Sequence, residues 1–303
     1  MPIWIPLALL FPALTGVVNI LDKLVLDRFT SRLFYYAFWI GVFELVLGLI
    51  SLGVVVGVQG DGLESRTLLG GALTGAVAAV SVLFFFASLQ LGQVTRVVPI
   101  WFLYPLIVAP LAAVFLDESI SALAAGAIVL AVTGAVLVSW QGGGGPTFGN
   151  PAVPLLALAA AAVLAVSFVL SKYFLEDGDF WQFLASERMG VAVPMMSVAL
   201  LPGVWRGALG MVRHRGFMGL VALVQAIITL VLLARFGAID QGPVSLVAAI
   251  SSVQPAMVFL YALALATLYP ATFGAWITRR TLLPHTIGIG ILTCGVIIIA
   301  LEA

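Results

Sequence analysis

A few ionisable residues sit where charge is expensive. Glu44 lies in the middle of the apolar run 33–57, with no Lys or Arg three or four positions away. A charge at the centre of a spanning helix costs about 2.5–3.5 kcal/mol on insertion scales, so such a residue is a functional candidate by default. A carboxylate that is neutral in one state and charged in another suits proton coupling. The competing reading is a permanently protonated Glu hydrogen-bonded to a neighbouring helix. Glu187 and Arg188 share the run 181–203. Adjacent helical residues point about 100° apart, so each needs a partner elsewhere: another helix, or a substrate. Arg188 suits an anionic group such as a carboxylate or phosphate. Asp22, Lys23 and Lys172 close the far ends of the first and sixth runs. They read either as snorkelling anchors or as gates. Trp39, Gln90, Trp101, Tyr104 and Gln225 are candidate cavity-lining residues, and equally candidates for packing.

Other chemistry has no residues to carry it. The sequence contains no GxSxG, no HExxH and no glycine-rich phosphate loop. His214 and His285 have no metal-ligand spacing. Asp117 and Glu118 form a short acidic pair at a helix junction, where a helix N-terminus could stabilise it. It is weak support for a cation site. No enzyme, cofactor or metal is expected. Cys294 is the single cysteine, which excludes an intrachain disulfide.

The elements that position these residues are membrane spans. Of 303 residues, 63% are apolar and 9% charged, with mean hydropathy +1.21. Soluble proteins carry about 25% charged residues, so lipid is the solvent for most of this chain. Basic and acidic residues balance at 13 each, which suggests no nucleic-acid partner. Apolar runs fall at 3–26, 33–57, 67–91, 94–116, 119–140, 152–173, 181–203, 217–238, 243–267 and 284–301. Spanning takes about 20 apolar residues, and unpaired backbone groups are not tolerated in hydrocarbon. No strand alternation recurs, so helices are predicted. The N-terminal run lacks a basic leader and reads as a retained helix rather than a cleaved signal. Small residues at Gly71/Gly75, Gly126/Gly134 and Gly288/Gly295 predict close helix packing.

The two halves repeat. Leu21, Lys23 and Gly41 return 149 residues later as Leu170, Lys172 and Gly190; at a spacing of 150, Gly92, Val94, Val97 and Pro105 return as Gly242, Val244, Val247 and Pro255. Each half carries five runs. An odd count inverts the second copy in the bilayer, a known construction for alternating access. The expected fold is all-α and integral to the membrane, with ten transmembrane helices in two inverted five-helix repeats. Residues 1–140 form the first repeat, 141–151 a Gly/Pro linker and 152–303 the second. Pro105 and Pro255 are predicted helix breaks at matching places. Mismatches between the copies are Phe38 against Glu187, Trp39 against Arg188 and Glu44 against Val193. These are where substrate choice is expected to reside.

The runs 84–90 (Phe-Phe-Phe-Ala-Ser-Leu-Gln) through Gly92, Pro105 and 116–118 (Leu-Asp-Glu), with the glycine-rich stretch 127–134, resemble the first EamA repeat of the drug/metabolite transporter superfamily. The stretches 242–255 and 288–295 resemble the second. The resemblance implies a ten-helix carrier with a central cavity between inverted halves. Members move amino acids, nucleotide sugars, other metabolites or drugs. Glu118 matches the acid that commonly closes the fourth helix, whereas 267–270 has no acid and an insertion, 271–285, follows. The family usually keeps both termini in the cytoplasm. The charges argue the reverse: loops on one side hold Lys23, Arg28, Arg32, Arg96, Arg206, Arg213, Arg215, Arg279 and Arg280, and the other side only Arg66, Lys172 and Arg235.

The expected activity is secondary active transport of a small metabolite by alternating access. Glu44 is the expected coupling acid, and Glu187, Arg188, Asp22, Lys23 and Lys172 are further substrate or coupling candidates. The partners expected are a small-molecule substrate, the bilayer and a coupling proton, in a monomer or homodimer. The expected location is the inner membrane of a bacterium or archaeon. A flippase for a lipid-linked intermediate would show an apolar lateral opening. A non-transporting scaffold or sensor would pair all its midplane charges and leave no cavity.

Overall fold

The computed structural model describes residues 2–30, 32–60, 62–139, 150–268 and 279–302. The helices are α1 (Trp4–Arg28), α2 (Leu33–Gln59), α3 (Ser65–Leu91), α4 (Val94–Trp101), α5 (Tyr104–Phe115), α6 (Ala122–Ser139) and α7 (Ala152–Leu175). They are followed by α8 (Phe180–Ser197), α9 (Val204–Gly210), α10 (Arg215–Gln241), α11 (Val244–Ser251), α12 (Gln254–Leu268) and α13 (Arg279–Glu302). No strand occurs among the described residues. Among the described residues ten segments are long and apolar enough to cross a membrane. This is an all-helical, multi-pass membrane protein. The short helix α9, between the seventh and eighth crossings, had no apolar run to announce it. Most of the predicted linker 141–151 and part of the insertion 271–285 lie outside the described residues.

The fourth and ninth crossings are each two helices. α4 stops at Trp101 and α5 starts at Tyr104; α11 stops at Ser251 and α12 starts at Gln254. Pro105 and Pro255 stand in the first turn after each break. Proline has no N–H to donate and its ring crowds the carbonyl four residues back. Those carbonyls belong to Trp101 and Ser251, the last residues of α4 and α11.

In hydrocarbon, helices gain little from burying apolar surface, so close backbone approach through small residues matters more. A side chain on Gly71 would strike Ser186 and the Phe183 carbonyl, and one on Gly75 the Glu187 carbonyl. One on Gly190 would strike the Ala72 backbone. These three glycines let α3 lie directly on α8, the helix that carries Glu187 and Arg188. Gly134, Gly288 and Gly295 do the same for α6 and α13. Gly126, expected to share that role, is exposed, and a side chain there would meet nothing within 4 Å.

The extensive packings run between halves rather than within them: α1 on α10, α2 on α8, α3 on α7 and α8, and α6 on α13. Hydroxyls stitch some of these seams. Ser81 donates to the Ala160 carbonyl (2.7 Å) and Ser88 to that of Val153 (2.9 Å), both from α3 to α7. The interlocked bundle leaves its middle to be filled by large side chains or left hollow.

A charged cavity at the centre of the bundle

The middle is hollow. A cavity of about 370 Å³ lies among α1, α2, α3, α4, α5, α7, α8, α10 and the start of α12. Its walls are largely apolar, with several aromatic residues among them, including Phe11, Phe86, Trp101, Phe102, Tyr104 and Phe168. Its polar groups include Asp22, Tyr36, Glu44, Glu187, Gln225 and Arg235, together with Thr15, Asn19 and Gln254. A volume of that size falls at the small end of ligand sites, which run about 300–1,000 Å³.

Two arrangements of opposite charge meet here. In the first, Arg188 Nη1 donates to Glu44 Oε2 at 2.9 Å, with side chains only 1% and 4% exposed. Arg188 Nη2 donates to Thr229 Oγ1 at 2.7 Å, which ties α2, α8 and α10 together. Gln225 reinforces the joint by donating to the Ile40 carbonyl at 3.2 Å.

The second arrangement is incomplete. Arg235, on α10, stacks its guanidinium 4.3 Å from the Phe168 ring centre and 5.3 Å from that of Phe236. Its Nη2 donates to Ser167 Oγ at 3.2 Å. Its Nε is buried with no hydrogen-bond partner, and so is Oε2 of Glu187. Glu187 and Arg235 form no ion pair with each other within 4.0 Å, although both line the cavity. Buried charges without full partners are costly, and a ligand bearing complementary groups would relieve that cost.

The expected residues separate accordingly. Asp22, Glu44, Glu187, Trp101, Tyr104 and Gln225 line the cavity. Asp22 accepts a short hydrogen bond from the Tyr36 hydroxyl, and Tyr104 shares one with Ser251 at the end of α11. Glu44 is not unpartnered, as its own helix suggested, because Arg188 reaches it from α8 across the bundle. For the same reason Arg188 is engaged with protein groups rather than offered to an anion. Trp39 does not line the cavity: its indole donates to the Ala208 carbonyl at 2.8 Å and anchors α9. Gln90 faces a separate pocket beside Arg32 and Pro202. Lys23 is exposed and sits 3.7 Å from Asp27. Lys172 donates to the Asp240 carbonyl at 3.0 Å. Both lysines lie outside the cavity, beyond its polar ring.

Arg235 is the residue that sequence reasoning misplaced. It does not belong to a loop: α10 continues to Gln241 and buries it to 8% exposure. A signal for it existed. At the repeat spacing of 150, Arg235 stands opposite Phe85, a cation against an aromatic, like Arg188 against Trp39. Glu118 does meet a helix N-terminus, and that helix belongs to the other half. Its carboxylate accepts from the Val244 N–H (3.0 Å) and the Ser245 N–H (3.3 Å), and from the Ser245 hydroxyl, capping α11 of the other half. It is therefore a helix cap, satisfied by protein donors. Among the described residues, no cluster of three or more His, Cys, Asp or Glu suits a metal ion.

The EamA-like transporter family matches residues 2–140. Over that stretch, just under half of its length, the chain is similar to EamA-like transporters. No curated relative matches the sequence. One solved crystal structure aligns over 98% of this chain and 99% of its own, with TM-score 0.69 and 19% identity. That likeness concerns the fold, and it extends through both halves. The match points to a membrane transporter of the drug/metabolite transporter superfamily, which agrees with the apolar helices of the bundle.

Proposed function

We propose that this EamA-like protein is a secondary active transporter for a small zwitterion with an apolar or aromatic side group. The observation that carries this reading is the incomplete pair in the cavity. Glu187 would receive a substrate ammonium, and Arg235 a substrate carboxylate, while the aromatic walls take the apolar remainder. A cavity of about 370 Å³ suits a solute of amino-acid size better than a nucleotide sugar. Neither condition for a non-transporting scaffold holds among the described residues, since a cavity exists and two buried charges keep unpartnered atoms.

Alternating access between inverted halves is part of the proposal. Exchanging the two halves turns the α1–α10 packing into α7–α3, and the packing of α11 and α12 on α1 into that of α4 and α5 on α7. Both broken crossings reach the cavity, through Trp101 and Tyr104 in one half and Gln254 in the other. Broken helices at matching places are natural elements for such a transition.

Coupling is better assigned to Glu187 than to Glu44. Protonating Glu44 would break its ion pair with Arg188, whereas Glu187 can accept a proton on a free oxygen. Proton and substrate ammonium would then compete for one carboxylate, which is sufficient for exchange. The test is a thermal-shift screen of purified protein against zwitterions, anions, cations, nucleotide sugars and lipid-linked sugars. A ligand that binds the folded state raises its apparent stability by mass action. Neutral amino acids are expected to stabilise the wild type and not Arg235→Met. Stabilisation by nucleotide sugars alone would overturn the zwitterion reading, and by a lipid-linked sugar alone would favour a flippase.

A further inference from the structure

A second cavity lies away from the transport path, at the surface where α1 ends and α10 begins. It has a volume of about 820 Å³ and sits between Arg28 and Phe29 of one helix end and Arg213 and His214 at the other. Arg28, Arg213 and His214 are all exposed. Among the described residues neither Arg28 nor Arg213 forms an ion pair, although Lys23 one turn away is near Asp27 at 3.7 Å. No carboxylate lines the groove. Its other wall is apolar, formed by Leu24, Leu220 and Leu223. Gly219 keeps the slot open, since a side chain there would meet nothing within 4 Å. A cationic rim at the end of two spanning helices, above an apolar slot running down between them, matches an amphiphile with an anionic head.

We propose that this groove binds an anionic phospholipid, with its phosphate on Arg28, Arg213 and His214 and an acyl chain along Leu24, Leu220 and Leu223. Basic pockets between spanning helices are suited to anionic headgroups, and each basic residue near the surface contributes about 1 kcal/mol to that attraction. The site lies on the side of the membrane that holds most of the loop arginines. It also has a mechanical consequence. α1 and α10 pack on each other, and the same two helices carry Asp22 and Arg235 into the central cavity. A lipid wedged at their shared end would brace both walls of the transport site whatever the solute is.

The test uses the full-length protein and native mass spectrometry with phosphatidylglycerol and phosphatidylcholine at equal concentration. The wild type is expected to prefer phosphatidylglycerol by about 25-fold, about five-fold per arginine. Arg28→Gln with Arg213→Gln should bring that preference close to parity. Gly219→Leu keeps every charge but fills the slot, and should lower occupancy by both lipids. Arg28→Lys with Arg213→Lys should keep most of the preference, which separates lost charge from lost folding. Equal binding of the two lipids by the wild type would overturn the proposal. So would unchanged phosphatidylglycerol binding in both the Gln pair and Gly219→Leu. Full displacement by inorganic phosphate at equal concentration would identify a free-phosphate site instead. A dimer that dissociates in Gly219→Leu would mean that a second copy covers the groove.

Discussion

Glu187 and Arg188 are neighbours in sequence and opposites in the structure. Arg188 turns to Glu44 and Thr229 and completes a three-helix joint. Glu187 turns into the cavity toward Arg235, and the two keep unpartnered atoms. The surroundings explain the difference. The Glu44–Arg188 pair is solvated by protein dipoles from α10, so it holds its geometry with no ligand present. Arg235 has mainly aromatic faces and one serine around it, which satisfy the charge in part and leave a buried Nε without an acceptor. A closed pair builds the scaffold, and the open pair is what the proposed binding site rests on.

The comparison can be broken most forcefully at Arg188. Arg188→Ala leaves Glu44 buried without its partner, which should destabilise the protein by about 3–5 kcal/mol. Thermal unfolding in detergent measures this. Glu44→Gln combined with Arg188→Met should recover much of the loss, because replacing both members of a buried pair with groups of similar volume is often near neutral. Arg235→Met should unfold near the wild-type temperature and yet lose zwitterion binding. If it unfolds as readily as Arg188→Ala, the two arrangements are both structural and the distinction fails.

A subtler probe is pH. With Glu187 as the shared carboxylate, substrate affinity should fall as pH is lowered, because the protonated acid no longer attracts an ammonium. Glu187→Gln should bind weakly and flatten that dependence, while Glu44→Gln should retain the slope if it folds. Isothermal titration across a pH series distinguishes them. Gly190→Ala would push α8 off the Ala72 backbone and displace both arrangements together. The expected cost is about 1–3 kcal/mol, as for overpacking elsewhere, with binding and stability lost in parallel. At the small end, Lys23→Ala removes an exposed contact to Asp27 and should change stability by less than about 1 kcal/mol, with binding intact.

Much of the scaffold was legible because lipid imposes a strict rule. Long apolar runs such as 152–173 can only be helices in a bilayer. Pro105 and Pro255 mark breaks because proline cannot donate to the turn before it. Gly75 and Gly190 mark close packing because nothing larger fits. The candidate site was half legible. Asp22, Glu44 and Glu187 stood out as acids inside apolar runs, and all three reach the cavity. Arg235 did not stand out, since a cation near the end of a run resembles a snorkelling anchor. Tyr36 was silent among many aromatics, and only its contact with Asp22 distinguishes it.

By itself, the sequence determined that this chain spans a membrane ten times, where two of the crossings break, and which few charges needed an explanation. Those properties are local, set by hydropathy over one helix or by the backbone of one proline. Only the tertiary structure decided which charges are partners. Glu44 and Arg188 are 144 residues apart, and their pairing depends on α2, α8 and α10 meeting at one level. The same packing leaves Glu187 and Arg235 beyond contact across a hollow. Whether a buried charge is satisfied is a property of every helix around it, and no single stretch of sequence contains that information.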